Sequence, residues 1–240
     1  MHKAILFEDR GVTNWLPLTY WRSFASLEWG IKTVASHLSD TLQLDIESWW
    51  TSPWTADVSQ SRCSCPVNQQ IDAEGSDAIV FVNMRWLPDI ANGKDGNGLR
   101  LAQAMEEVAQ GHGHGTAGVL DGKMAWLALN RATARTHTPD SMFAAVDLDT
   151  IAGKATRVAC DGQWLDYPWD ALDKRVELIN AYYDQINGDS AASGVVMAGD
   201  RVQLHGTAVV RDEEGPVILA DGVTIGPNAV VDGPIIIGAN

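Results

Sequence analysis

Four apolar residues in a row, Ala4-Ile5-Leu6-Phe7, stand near the start of the chain and run straight into a charged turn, Glu8-Asp9-Arg10-Gly11. A short run without polar alternation is what a strand buried on both faces looks like, so the first element is predicted to be a strand of a parallel sheet. From about Leu27 to Leu42, the residues Leu27, Ile31, Val34, Ala35 and Leu38 recur near helical spacing, which predicts a helix packed on that strand. Ala78-Ile79-Val80-Phe81-Val82 is a second continuous apolar run, ending at Asn83-Met84-Arg85. Leu99 to Ala109 reads as a helix with Leu99, Ala102, Met105, Val108 and Ala109 on one side. The apolar runs Ala117–Leu120 and Met124–Leu129 flank Asp121-Gly122, a dipeptide favoured in two-residue hairpin turns. Ala171 to Ile186, carrying Leu172, Val176, Ile179 and Tyr183, is predicted to be a further helix. This succession of strands and helices predicts an α/β class, whose open parallel sheets bind ligands beyond the carboxyl ends of the strands. Asp9–Gly11 and Asn83–Arg85 are therefore candidate site loops by position alone.

After the polar, small-residue stretch Asn187–Gly194 the period changes to six. Leu219, Ile225, Val231 and Ile237 form one row, Val223, Ala229 and Ile235 a second, and Asp221-Gly222, Pro227-Asn228 and Gly233-Pro234 supply corners. A six-residue period with turn residues at each corner is the signature of a hexapeptide β-helix, whose coils bury their apolar rows only by stacking. The pattern stops at Asn240 in mid-repeat, which leads us to expect either a fragment of a longer chain or a partner covering that end. The division expected from pattern alone is thus residues 1–190 and 195–240.

Composition narrows the partners. A net charge of -14 with no Lys/Arg run argues against a nucleic-acid groove, since phosphate backbones are repelled by such a surface. An acidic protein that binds a nucleotide must rely on a few placed cations, backbone N–H groups and a metal. The opening MHKAILFED lacks a basic segment backed by an apolar stretch, and nowhere does a membrane-spanning apolar run occur, so we expect a cytoplasmic protein with no membrane partner. Three cysteines, Cys63, Cys65 and Cys160, are an odd count without a disulfide framework and are read as reduced thiols. His112-Gly-His114-Gly115 is read as a turn rather than a metal clip, and Trp49, Trp50 and Trp54 as packing residues.

Three segments carry a family resemblance. The first runs from Ile5-Leu6-Phe7-Glu8-Asp9-Arg10 to Leu16-Pro17-Leu18-Thr19 and Arg22; the second is Val82-Asn83-Met84-Arg85-Trp86-Leu87-Pro88; the third is Trp164-Leu165-Asp166-Tyr167-Pro168-Trp169-Asp170-Ala171-Leu172. In this order, with the hexapeptide tail behind them, they resemble the sugar-1-phosphate nucleotidyltransferases fused to a left-handed β-helix, the architecture of the bifunctional N-acetylglucosamine-1-phosphate uridyltransferases. The resemblance implies a Rossmann-like nucleotidyltransferase domain with a mostly parallel sheet over residues 1–190, then a truncated left-handed parallel β-helix over 195–240. It implies a reaction in which a sugar-1-phosphate and a nucleoside triphosphate yield a nucleotide-sugar and pyrophosphate, with Mg²⁺ bridging phosphates. A homotrimer built through the β-helix is implied as well.

The resemblance also implies residue roles. Arg22 stands at the family's phosphate-binding lysine and Arg10 at its loop arginine, making both the expected catalytic cations. Gly11, Asn83, Arg85 and Trp164 are the expected substrate-binding residues. Asp166 is the expected metal ligand, with Asp170 the competing choice; either carboxylate can instead cap the helix near Ala171. The chain departs from the family in having one glycine in its phosphate loop, two carboxylates (Glu8 and Asp9) beside it, and Asn83 where a metal aspartate belongs. Those departures define an alternative, a catalytically degenerate module that is structural or senses nucleotide-sugars, with acyltransferase activity only in a longer parent chain.

Overall fold

A computed structural model describes residues 2–30, 32–72, 78–88, 96–144, 148–187, 194–197 and 199–238. The stretch from Asn187 to Gly194, expected to separate the two parts, falls largely outside them. The described chain divides into two compact units, one of residues 1–28 and 32–170, the other of 29–31 and 171–240.

The first unit is built on a six-stranded sheet. Its strands are β1 (His2–Phe7), β2 (Leu44–Trp50), β3 (Ala78–Asn83), β5 (Thr116–Leu120), β6 (Lys123–Asn130) and β7 (Thr156–Ala159); β4 (Trp86–Leu87) and β8 (Gln163–Trp164) form a separate small antiparallel pair. The order across the sheet is β2-β1-β3-β6-β5-β7. β1 pairs in parallel with β2 and β3, and β7 in parallel with β5; only β6 runs antiparallel to its neighbours. The mixed α/β architecture with a mostly parallel sheet is thus the one the apolar runs predict. β1 and β3 are buried along most or all of their length, and Ile5, Phe7, Ile79, Phe81, Leu127 and Leu129 join one core cluster, as side chains two apart on a strand must. Asp121 and Gly122 both adopt positive φ (52° and 74°), the left-handed pair that lets β5 turn tightly into β6.

Two helices differ from the expected ones in detail. α1 covers Val34–Leu42 and does not begin at Leu27: the backbone turns left-handed at Gly30 (φ 67°), and the Thr33 hydroxyl accepts the Ser36 N–H to cap the helix. α2 covers Asn97–Ala109, but its buried stripe is Leu101, Ala104, Met105 and Val108, while Leu99 is exposed. β2 has no counterpart in the apolar pattern. It places Trp49 and Trp50 in the interior, and Trp50 Nε1 donates to Gln69 O at 2.9 Å.

The C-terminal helix is broken into α3 (Pro168–Asp173) and α4 (Arg175–Asn187). Asp170 sits at the third position of α3 and accepts the Tyr167 N–H at 2.8 Å, the back-reaching half of a capping box.

In the second unit, β9 (Val195–Met197), β12 (Val217–Leu219) and β15 (Ile235–Ile237) pair in parallel. β10 (Gln203–Leu204) pairs with β13 (Thr224–Ile225) and β11 (Val209–Arg211) with β14 (Val230–Asp232), also in parallel. Leu219, Ile225 and Val231 of the first hexad row and Val223 of the second are buried in one cluster; Ala229, Ile235 and Ile237 pack against it.

Candidate active site

β1 and β3 run side by side, with Phe7 opposite Asn83, so the turns that follow both strands emerge together at the carboxyl edge of the sheet. Two acidic residues leave β1 here, and they face opposite fates. Glu8 is buried and turns inward, where its Oε1 accepts the Phe24 N–H at 2.7 Å and its Oε2 the Ser52 N–H at 2.6 Å. Burial pushes its carboxyl above the ordinary range despite those two bonds, which favour the ionised form. Glu8 therefore fastens two loops to the strand end and is not available to a ligand.

Asp9 turns toward the neighbouring strand. Its Oδ1 accepts from Gly11 N at 2.9 Å and Arg85 Nε at 2.7 Å, and its Oδ2 from Asn83 Nδ2 and Arg85 Nη2, both at 2.8 Å. The Arg85 guanidinium thus forks onto one carboxylate, and its remaining nitrogen, Nη1, reaches Asp166 Oδ1 at 2.6 Å. Asp166 is held from its other side by Lys123, whose Nζ lies 3.0 and 2.7 Å from the two carboxylate oxygens. Both cations lie over Trp164, 5.5 Å (Arg85) and 5.2 Å (Lys123) from its ring centre.

The backbone keeps this network in place. Asn83 Oδ1 accepts the Arg85 N–H at 3.0 Å, and Arg85 O accepts the Leu165 N–H at 2.8 Å. Trp15, at the end of the 3-10 turn Arg10–Trp15, donates Nε1 to Leu165 O at 3.0 Å. Gly11 is required sterically: a Cβ there would stand 2.1 Å from the Arg85 Cζ.

Of the expected site residues, the structure brings Gly11, Asn83, Arg85, Trp164 and Asp166 together. Arg10 and Arg22 are exposed and take no part in the network, and neither makes an ion pair among the described residues. Lys123 is the member that the sequence does not reveal, while Asp9 is marked there only by its place in the Asp9–Gly11 loop. The sequence gives Asp9 no partner, only a place beside the phosphate loop, and Lys123 carries no signal beyond its place after the hairpin turn.

The resemblance implies a Mg²⁺ here, and the donor set does not fit one. Magnesium needs free hard oxygens at close range. Both Asp166 oxygens face Lys123 and one also faces Arg85; both Asp9 oxygens receive N–H donors; Asn83 gives its oxygen to a backbone N–H. Asp166 stands as an ion-pair partner of two cations. Among the described residues no group of three or more His, Cys, Asp or Glu is placed to hold a metal ion.

Burial alone would raise the Asp9 and Asp166 carboxyls, but Arg85 acting on Asp9, and Lys123 with Arg85 acting on Asp166, outweigh it and hold both below the usual range. A carboxyl depressed by folding contributes stability above its unfolded pKa of about 4, and that contribution is lost as the pH falls through the folded value. Glu8, raised by folding, has the opposite sign. We expect the urea midpoint to fall as the pH is taken from about 5 to about 3, and to fall less steeply in Asp166→Asn; equal slopes would contradict the ion-pair assignment.

Comparison with known proteins decides the family. A profile described as "Sugar nucleotidyl transferase" matches residues 4–190, most of the chain. The chain belongs to the sugar nucleotidyl transferase family. Among curated proteins none matches it. Solved structures similar to it include a putative glucose-1-phosphate thymidylyltransferase from Bacillus anthracis, 11% identical, with a TM-score of 0.44 over 74% of this chain and 94% of that one. A mannose-1-phosphate geranyltransferase from Thermus thermophilus is 9% identical, with a TM-score of 0.40 over 99% of this chain and 91% of that one. At these identities and scores the two likenesses bear on no residue of the site. Family membership, by contrast, gives the Asp9–Arg85–Asp166 network its interest.

Proposed function

We propose that the chain is a sugar-1-phosphate nucleotidyltransferase acting at the carboxyl edge of its sheet, within a domain of residues 1–190. One observation carries the reading: the turn after β1, the Asn83–Arg85 turn after β3, and Trp164–Asp166 meet in one network there. In the proposed reaction a sugar-phosphate oxygen attacks the α-phosphorus of a nucleoside triphosphate. A new P–O bond forms, the bond to the bridging oxygen breaks, and pyrophosphate leaves with the electron pair. In this scheme Arg10 and Arg22, both exposed, supply the cations for the phosphate oxygens, and Gly11, Asn83, Arg85 and Trp164 contact the substrate. Magnesium enters in this scheme with the triphosphate, as part of the substrate.

Incubation with sugar-1-phosphates, each common nucleoside triphosphate and Mg²⁺ tests the reading. Pyrophosphate release is expected with at least one combination, and Arg10→Ala or Arg22→Ala should lower it by about 10²-fold, the usual loss on removing a charge-stabilising donor. No release with any combination sinks it.

A second reading is favoured by a specific observation, the closed pairing of both acidic side chains with Arg85. It is a degenerate module that binds a nucleotide-sugar without turning it over, and binding in the absence of any pyrophosphate release would single it out. For residues 195–240 we propose the start of a left-handed parallel β-helix, supported by the three sets of parallel strand pairs and the shared apolar cluster. Trimer formation through it and acyl transfer in a longer chain belong to the same proposal. A cytoplasmic location is proposed from the sequence; no described helix is long and apolar enough to cross a membrane.

A further inference from the structure

We propose that the Arg85 guanidinium occupies the place of a divalent cation at the strand ends, so that the site excludes a metal ion held by the protein. The inference rests on reading this site as the nucleotide site. A hard divalent ion in such a site would join two carboxylates from different segments, and Arg85 does that joining here: Nε and Nη2 take both oxygens of Asp9 while Nη1 takes Asp166. The substitution is built in rather than incidental. Arg85 is buried, its backbone N–H is fixed by Asn83, and Gly11 leaves open the space its guanidinium fills. The face of Trp164 lies against it, a surface that attracts a cation and supplies no oxygen ligand. Asn83, neutral beside Asp9, keeps the local charge low enough for one guanidinium and one ammonium to balance two carboxylates.

Arg85 is then the residue that keeps a metal ion out of the site, and Mn²⁺ binding reads this directly. The probe is Mn²⁺ followed by electron paramagnetic resonance, with thermal unfolding as a second readout, on the full chain. Wild type should show no saturable Mn²⁺ site that depends on Asp166. Arg85→Met should gain one, its thermal midpoint rising by about 5 °C at saturating Mn²⁺, since an ion that binds only the folded chain stabilises it. Adding Asp166→Asn should abolish the gain. If Arg85→Met is unfolded without metal, Mn²⁺ should restore its fold. A wild-type Mn²⁺ site lost on Asp166→Asn would overturn the proposal, as would an Arg85→Met protein that neither binds Mn²⁺ nor responds to it. Neither result depends on turnover, so a failure here is distinct from a failure to release pyrophosphate.

Discussion

Glu8→Ala lowers stability by about 3 kcal/mol, the expected result of leaving two buried backbone donors without an acceptor. The carboxylate accepts the Phe24 and Ser52 N–H groups at 2.7 and 2.6 Å, holding two separate segments at the end of β1. Each orphaned donor costs roughly 1–3 kcal/mol, and relief of a buried carboxylate offsets part of the sum. For a chain of this size the loss corresponds to a fall in Tm of roughly 6–12 °C. Glu8→Gln should lie between, because one amide oxygen can serve one donor while its NH₂ faces the other. Reversible urea unfolding measures both variants, and an Ala variant as stable as wild type would remove Glu8 from the architecture of the site.

Gly11→Ala is expected to be nearly as damaging for a different reason. The residue has no left-handed φ, so alanine fits the backbone; what it meets is the Arg85 guanidinium, 2.1 Å from the new Cβ. A long side chain usually swings away from such a clash, but this one is pinned by Asp9 and Asp166. Displacing it breaks a largely buried ion pair, a loss of about 3 kcal/mol. A double-mutant cycle isolates the cause: in the Arg85→Met background, Gly11→Ala should cost little more, whereas full additivity would show that the clash lies elsewhere.

Much of the sheet was legible because buried parallel strands leave continuous apolar runs, and β1 and β3 lie where Ala4–Phe7 and Ala78–Val82 put them. The hairpin was legible because Asp-Gly supplies two left-handed positions at low steric cost. β2 was not, since Leu44–Trp50 mixes charged, small and aromatic residues and its identity depends on pairing with β1. α1 starts later than the spacing predicts because Leu27 and Ile31 continue the helical period in the sequence, while local chemistry at Gly30 and Thr33 decides the boundary.

The site divides the same way. Sequence order pointed to Asn83, Arg85, Trp164 and Asp166, but the meaning of a charge depends on its partner. Asp9 and Arg85 are 76 positions apart, Arg85 and Asp166 81, and Lys123 and Asp166 43. No local pattern reveals that a carboxylate expected to hold a metal is matched by a guanidinium from the turn after β3. Glu8 and Asp9 are adjacent and chemically alike, yet strand geometry sends one into the interior and the other into the network.

Calorimetric titration with nucleoside triphosphates tests most directly whether the strand-end network is a nucleotide site. Saturable binding of at least one of ATP, GTP, CTP, UTP or dTTP to the wild-type chain is expected, weakened at least tenfold by Trp164→Ala. Absence of binding for all five, or binding unchanged by that substitution, would contradict it.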